Sequence, residues 1–180
     1  TPLGEMGDAA EVSALRSVIP DGVTFELDLM IMRPLDTLSA WLGQRPSRVV
    51  LHAEYFSDDE EILQAVAVVR EGNAHAIVAA DNATPLERLM KLIPYADGVQ
   101  CMGIAEIGRQ GNLFDARVLA RVQTIREAYA TLSITVDGSV NAQTISALKE
   151  AGANRFVVGS GIFGTDNPVE AYRTLTALVV

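Results

Sequence analysis

The stretch S-I-T-V-D-G-S-V-N-A-Q-T-I-S-A-L-K-E-A-G-A-N-R-F-V-V-G-S-G-I-F-G, Ser133 to Gly164, decides how this chain is read. An apolar strand ends in Asp137-Gly138-Ser139, a helix follows, and a second apolar strand ends in Gly159-Ser160-Gly161. In a parallel α/β protein both ends lie on one rim, where such folds bind ligands. Backbone N–H groups left bare by glycine, with helix N-termini beside them, favour a phosphate there. Gly138, Ser139, Gly159 and Ser160 are the phosphate contacts this predicts. A single such glycine would as readily serve to relieve strain in a tight turn; recurrence at successive strand ends favours phosphate. Asp137, a carboxylate at a strand end, is placed to take a proton from carbon or to bind a metal, with a helix N-cap as its plainer role.

Working back toward the N-terminus, the same alternation repeats. Residues 7–18 carry Ala9, Val12, Leu15 and Val18 at helical spacing. Pro20-Asp21-Gly22 is a turn, and a strand is predicted over 23–32. Helices are predicted over 35–42, 58–70 and from Pro85 to about Ile93, with Thr84 as the N-cap of the third. Strands are predicted over 48–52, 74–79 and 98–102. After a loop from Gly103 to Leu113 come a helix over 115–129, a strand over 133–136, a helix over 142–151, a strand over 155–159 and a helix over 167–178. Six strands, each followed by a helix, imply parallel pairing with right-handed crossovers. Two architectures fit: an open doubly wound sheet, or a (β/α)8 barrel represented by six β/α units. The glycines sit after the last three strands and not after the first, which is the barrel habit.

No linker or shift in composition divides the 180 residues, so one domain over 1–180 is expected. A net charge of −9 and a pI near 4.6 argue against nucleic acid or an anionic membrane as partner. An anionic ligand must then be held by local features. The single Cys101 allows no intrachain disulfide and fits a reducing compartment. With no long apolar run or basic leader pattern, a cytoplasmic protein is expected.

Several other residues bear on chemistry. Asp28 interrupts an apolar strand and reads as a ligand, a base, or a solvent-facing strand residue. His52, in His52-Ala53-Glu54, is an acid–base or orienting group, or a satisfied core histidine. Met30 and Met102 lie near strand ends, where methionine fills core space or lines a site wall. Glu106, Arg109 and Gln110 sit on the longest loop, which is long enough to act as a lid. His75, at the start of its strand, belongs to the opposite rim.

Five places in collinear order resemble the ribulose-phosphate 3-epimerase family. Leu27 to Pro34 (L-D-L-M-I-M-R-P) is similar to its third strand, and Leu51 to Glu54 (L-H-A-E) to its fourth-strand His-Ala-Glu. Asn82 to Glu87 (N-A-T-P-L-E) is similar to its Thr-Pro-Leu-Glu loop. Met102 followed by Gly108, Gln110, Gly111 and Phe114 resembles its lid. Val136 to Asn141 (V-D-G-S-V-N) and Ala151 to Phe163 closely follow its last two strands.

The resemblance implies a ribulose-phosphate-binding TIM-type (β/α)8 barrel in which this chain supplies strands 3 to 8. It implies a pentulose 5-phosphate as small-molecule ligand, inverted at C3 through an enediolate. It also implies a divalent cation (Zn, Fe, Mn or Mg) and two carboxylates on opposite faces of the intermediate. Asp137 matches the seventh-strand carboxylate; Gly138, Ser139, Gly159 and Ser160 match the phosphate cradle; His52, Met30 and Met102 match site-lining positions. Asp28 stands where the family has a histidine metal ligand, so Asp28 and Asp137 are the metal ligands expected here. Thr1 to Gly4 is similar to the segment after the family's second strand, so the serine, histidine and second aspartate of its first two strands have no counterpart. Edge strands left open would favour a homo-oligomer. The reading is a ribulose 5-phosphate to xylulose 5-phosphate epimerase, with a non-catalytic phosphosugar binder as its alternative. A hexulose-phosphate synthase or decarboxylase fits less well, because Asp28-Leu29-Met30 lacks the Asp-x-Lys those relatives favour.

Overall fold

The structure, a computed structural model, describes residues 20, 22–105 and 113–180. The expected helix over 7–18 and the lid residues Glu106, Arg109 and Gln110 lie outside the described residues. Six strands run through the rest: β1 (Glu26–Leu29), β2 (Arg48–His52), β3 (His75–Ala80), β4 (Gly98–Met102), β5 (Ser133–Asp137) and β6 (Arg155–Val157). Between and after them come α1 (Leu38–Leu42), α2 (Asp59–Glu71), α3 (Leu86–Leu92), α4 (Arg117–Ala128), α5 (Ile145–Ala151), α6 (Ser160–Phe163) and α7 (Pro168–Val179).

All neighbours pair in parallel and the sheet order is β1-β2-β3-β4-β5-β6. A doubly wound sheet reverses its strand order partway; this one does not, and it curls into a half-barrel. The curl is visible in bonds between strands that are not neighbours. Gln100 on β4 donates to Asp28 on β1 at 2.8 Å, Arg48 on β2 donates to Ser133 on β5 at 3.4 Å, and Arg155 on β6 pairs with Glu26 on β1.

Period-two alternation gives each face of the sheet its own composition. Leu27, Leu29, Val49, Leu51, Ala76, Val78, Val99, Cys101, Ile134 and Val136 pack outward against the helices in the main core. Burying apolar area of this extent, at about 25 cal/mol per Å², is what holds helices to sheet. The inward residues make a much smaller apolar layer, Val50, Ile77 and Ala79. Below it lie Glu26, Arg48, Ser133 and Arg155; above it lies the polar group described next.

Four local expectations need correction. The first strand ends at Leu29, because the chain turns through a left-handed Arg33 (φ 53°) into a 3-10 turn at Pro34–Asp36. Thr84 does not cap α3: its hydroxyl donates to Asp81 at 2.7 Å, and the Asp81 carboxylate also takes the Ala83 and Thr84 N–H groups. The helix after β5 starts at Ile145, three residues later than expected, because the Thr144 hydroxyl is tied into the preceding turn. β6 stops at Val157, and Gly159 is the N-cap of α6. Asp58 does cap α2, accepting from Glu61 N–H at 2.9 Å while Ser57 N–H reaches back to Glu61 at 2.7 Å.

Candidate active site

Asp28, His52, Gln100, Met102, Thr135 and Asp137 all fall on the inward parity of their strands. The register rows place His52 level with Ala79, Gln100 and Thr135, and Met102 level with Asp137. Every one of these residues is at or near the C-terminal end of its strand, so the curl gathers them at one mouth.

His52 is fully buried and has a carboxylate at each ring nitrogen: Nε2 lies 2.8 Å from Asp28 Oδ1 and Nδ1 3.2 Å from Glu54 Oε1. Two acceptors call for two N–H donors, which is the imidazolium. Burial pushes the ring toward neutrality, but the bonds to Asp28 and Glu54 outweigh it and raise its pKa to about 9. Gln100 Nε2 donates to the other Asp28 oxygen at 2.8 Å and sits 4.0 Å from Met102 Sδ. Glu54 Oε2 is buried without a hydrogen-bond partner among the described residues. The Tyr55 ring lies 5.9 Å from that of His52, and burial, with Glu54 and Asp28 nearby, pushes its phenol up.

Asp137 closes the group from β5. Burial, and then the Asp28 charge, raise its carboxyl to about 6, while the Gly138 N–H bonded to it and the His52 cation pull the other way. A carboxyl in that range both holds and yields a proton near neutral pH.

The divalent cation implied by the resemblance meets a poor donor set. Among the described residues no group of three or more His, Cys, Asp and Glu side chains is arranged to hold a metal ion. Asp28, expected as a ligand, instead has each oxygen engaged by a side-chain N–H, and His52 has no free lone pair while both its nitrogens donate. Asp28 is thus held as the anion of an ion pair, leaving Asp137 without a second ligand.

The loops after β5 and β6 are shaped by close backbone approach. Gly138 (φ 97°) and Ser139 (φ 52°) are both left-handed. Thr144 Oγ1 donates to Ser139 O at 2.7 Å and accepts from Asn141 N at 3.1 Å, fixing the turn. A Cβ on Gly161 would stand 2.7 Å from Val140 O, so glycine lets the two loops touch. Gly159 meets no such crowding: a Cβ there finds nothing within 4 Å, so the Gly159 side of the rim is open. Of the expected phosphate contacts, Gly138 spends its N–H on Asp137, whereas Ser160 begins a helix whose first N–H groups have no intrahelical acceptor. A cleft of about 570 Å³ runs beside Ser160 and Gly161, with Asn141, Gln143, Thr165 and Asn167 in its wall; it includes none of Asp28, His52 and Asp137. Met30 lies half-buried just past β1, and Met102 is buried at the end of β4.

Sequence reasoning missed Gln100. The signal was the one that marked Asp28: a polar side chain on the inward parity of an otherwise apolar strand, here G-V-Q-C-M. Glu54 was noted only as a neighbour of His52, and its partnership with that ring depends on the 3-10 turn at Ala53–Tyr55.

Comparison with known proteins agrees with this geometry. A family model described as "Ribulose-phosphate 3 epimerase family" matches residues 6–163. A ribulose-phosphate 3-epimerase of Mycobacterium bovis is 28% identical over 85% of this chain and 67% of its own length. The chain spans 56% to 68% of the length of such curated relatives. Among solved structures, the 3-hexulose-6-phosphate synthase of Salmonella typhimurium superposes with a TM-score of 0.76 at 17% identity, over 95% of this chain and 79% of that one. KGPDC from Streptococcus mutans, in complex with D-ribose 5-phosphate, gives a TM-score of 0.74 at 15% identity, over 93% and 77%. At these identities the two structures speak for the fold alone. No helix of the described residues is long and apolar enough to cross a membrane.

Proposed function

The chain belongs to the ribulose-phosphate 3-epimerase family, and on that premise we propose that it acts on a pentulose 5-phosphate, moving the proton at C3 and so interconverting ribulose 5-phosphate and xylulose 5-phosphate. The observation that carries this reading is Asp137: a carboxyl at the strand-end rim whose pKa is raised to about 6 by burial and by Asp28. Such a group takes the C3 proton when ionised and returns one when protonated. Ser139, Gly159 and Ser160 hold the phosphate with backbone N–H groups, and Gly138 positions Asp137. His52, Met30 and Met102 form the wall facing the sugar. The ligand of the Streptococcus mutans neighbour is in keeping with this class. A divalent cation has no adequate donor set among the described residues, and the chemistry assigned to Asp137 does not use one. The exposed apolar side chains Val157, Phe163 and Tyr172, near the open edge and on α6 and α7, support a homo-oligomer. The buried, unpaired Cys101 is in keeping with the cytoplasm.

A second reading, a phosphosugar-binding protein without turnover, is favoured by Asp28, which sits locked in an ion pair where the family has a histidine. Incubating the wild-type chain with ribulose 5-phosphate in D2O separates the two. The epimerase reading expects loss of the C3–H signal by NMR together with appearance of xylulose 5-phosphate. Calorimetric binding of the sugar phosphate, with neither exchange nor inversion, would establish the binder instead.

A further inference from the structure

Inversion at a carbon through a planar intermediate needs two proton-transfer groups, one on each face. Asp137 supplies one. We propose that Asp28 is the other, facing Asp137 across the strand-end rim; this rests on the proton transfer at carbon proposed above.

Asp28 and Asp137 come from β1 and β5, with three strands between them in the sheet. Their side chains share the inward parity, and the curl brings the two walls together: Gln100, two residues before the rim on the strand beside β5, bonds directly to Asp28. Asp28 is also close enough for its charge to be felt at Asp137. Two carboxyl groups thus meet in one space from different walls.

Access separates Asp28 from the rest of its cluster. The His52 side chain is wholly enclosed, whereas Asp28 keeps 31% of its side-chain surface open. His52 and Gln100 each hold one Asp28 oxygen, and Glu54 holds the second N–H of His52. These three are positioning residues: they fix the carboxylate in orientation and leave it a face toward the mouth. Each carboxylate oxygen has two lone-pair sites, so one bond to a donor leaves a site for a proton.

The step balances without another reagent. The ionised Asp28 takes the C3 proton from one face; the C–H electron pair becomes the enediolate, with its charge on the C2 oxygen. The protonated Asp137 gives its proton to the opposite face, and the enediolate pair forms the new C–H bond. Asp28 is left protonated and Asp137 ionised, which is the starting state for the reverse direction; exchange with water restores the first.

The test is proton exchange at C3 in D2O, measured separately for ribulose 5-phosphate and xylulose 5-phosphate on Asp28→Asn and Asp137→Asn. Each variant is expected to lose net epimerisation by about a thousandfold, and each to keep exchange with one epimer only, the two variants keeping opposite ones. Asp28→Asn that epimerises within threefold of an active wild type, or that loses exchange with the same epimer as Asp137→Asn, overturns the inference and leaves the proposed function standing. A wild type that exchanges neither epimer removes both. Should Asp28→Asn not fold, as judged by its melting transition, Asp28→Glu carries the test: the displaced carboxylate should slow exchange of one epimer at least tenfold and leave the other unchanged, and equal effects on both overturn the inference.

Discussion

On the β1–β2 wall of the mouth, Asp28, His52 and Glu54 are held by charge: a buried imidazolium between two carboxylates. On the β5–β6 wall, Asp137 and the loops behind it are held by backbone contact, with glycine at each place where two segments touch. The resemblance to the family is closest on the second wall and departs from it on the first. The second wall fixes shape, and its residues are interchangeable with those of any relative that binds the same phosphate. The first sets protonation, and there one substitution, Asp28 in a histidine's place, reorganises the hydrogen bonds of its neighbours. A match in the glycine loops therefore speaks to ligand class, while the reaction depends on the wall where the match is loosest.

The largest effect that would test this contrast is expected at Gly103, where the walls join. Its N–H donates to Asp137 O at 2.6 Å and its carbonyl accepts from Asp115 N at 2.8 Å. An added Cβ would run into the Gly138 carbonyl, which is backbone and cannot rotate away. Gly103→Ala should cost about 3 kcal/mol, the upper end for overpacking, read as a fall in the urea midpoint at unchanged slope. A loss under about 0.5 kcal/mol would mean that the β5 wall is compliant and not set by backbone contact.

How much of this was legible in the sequence follows the same division. Strand-helix alternation and glycine placement depend on local spacing, so β2 and β4 were placed to the residue and the barrel was preferred to the doubly wound sheet before the strand order was known. Asp137 was visible because a carboxylate beside Gly-Ser at a strand end is a local pattern. Asp28 was visible as a polar residue out of place, but its partner was not: Gln100 is 72 residues away, and only the curl of the sheet joins them. The engagement of both Asp28 oxygens, which displaces the metal reading, is a tertiary fact of the same kind. The Thr84 cap was misjudged because Asp81, three residues earlier, competes for the same hydroxyl.

A smaller effect, confined to the first wall, is carried by pH. The His52 pKa is raised in the folded state, from 6.5 to about 9. The stability it contributes is present in full below pH 6.5 and is lost as the pH rises through 9, amounting to about 3 kcal/mol. Asp137 acts in a lower window: its raised carboxyl favours the fold most below pH 3.8, and that advantage fades as the pH rises toward about 6. Urea unfolding at pH 6.5 and 9.5 should show the wild type weaker at the higher pH, with His52→Gln flat between them. A wild type more stable at pH 9.5 would mean that the ring is neutral in the folded protein and that the first wall is not held by charge.

The smallest effect belongs to the second wall and touches binding alone. Ser160 is exposed at the first position of α6, beside the open Gly159. A carboxylate placed there would stand several ångströms from a bound phosphate, and at the intermediate dielectric of a surface cleft that repulsion is about 1–2 kcal/mol. Ser160→Asp should weaken binding of ribulose 5-phosphate roughly tenfold by calorimetry, and the loss should shrink in high salt because both charges face solvent. The pH dependence of unfolding assigned to His52 should not change, since the two walls are held by different forces. If Ser160→Asp binds as tightly as the wild type, the phosphate is not held at the β6 loop, and the glycines there serve the packing of Gly161 against Val140 and nothing more.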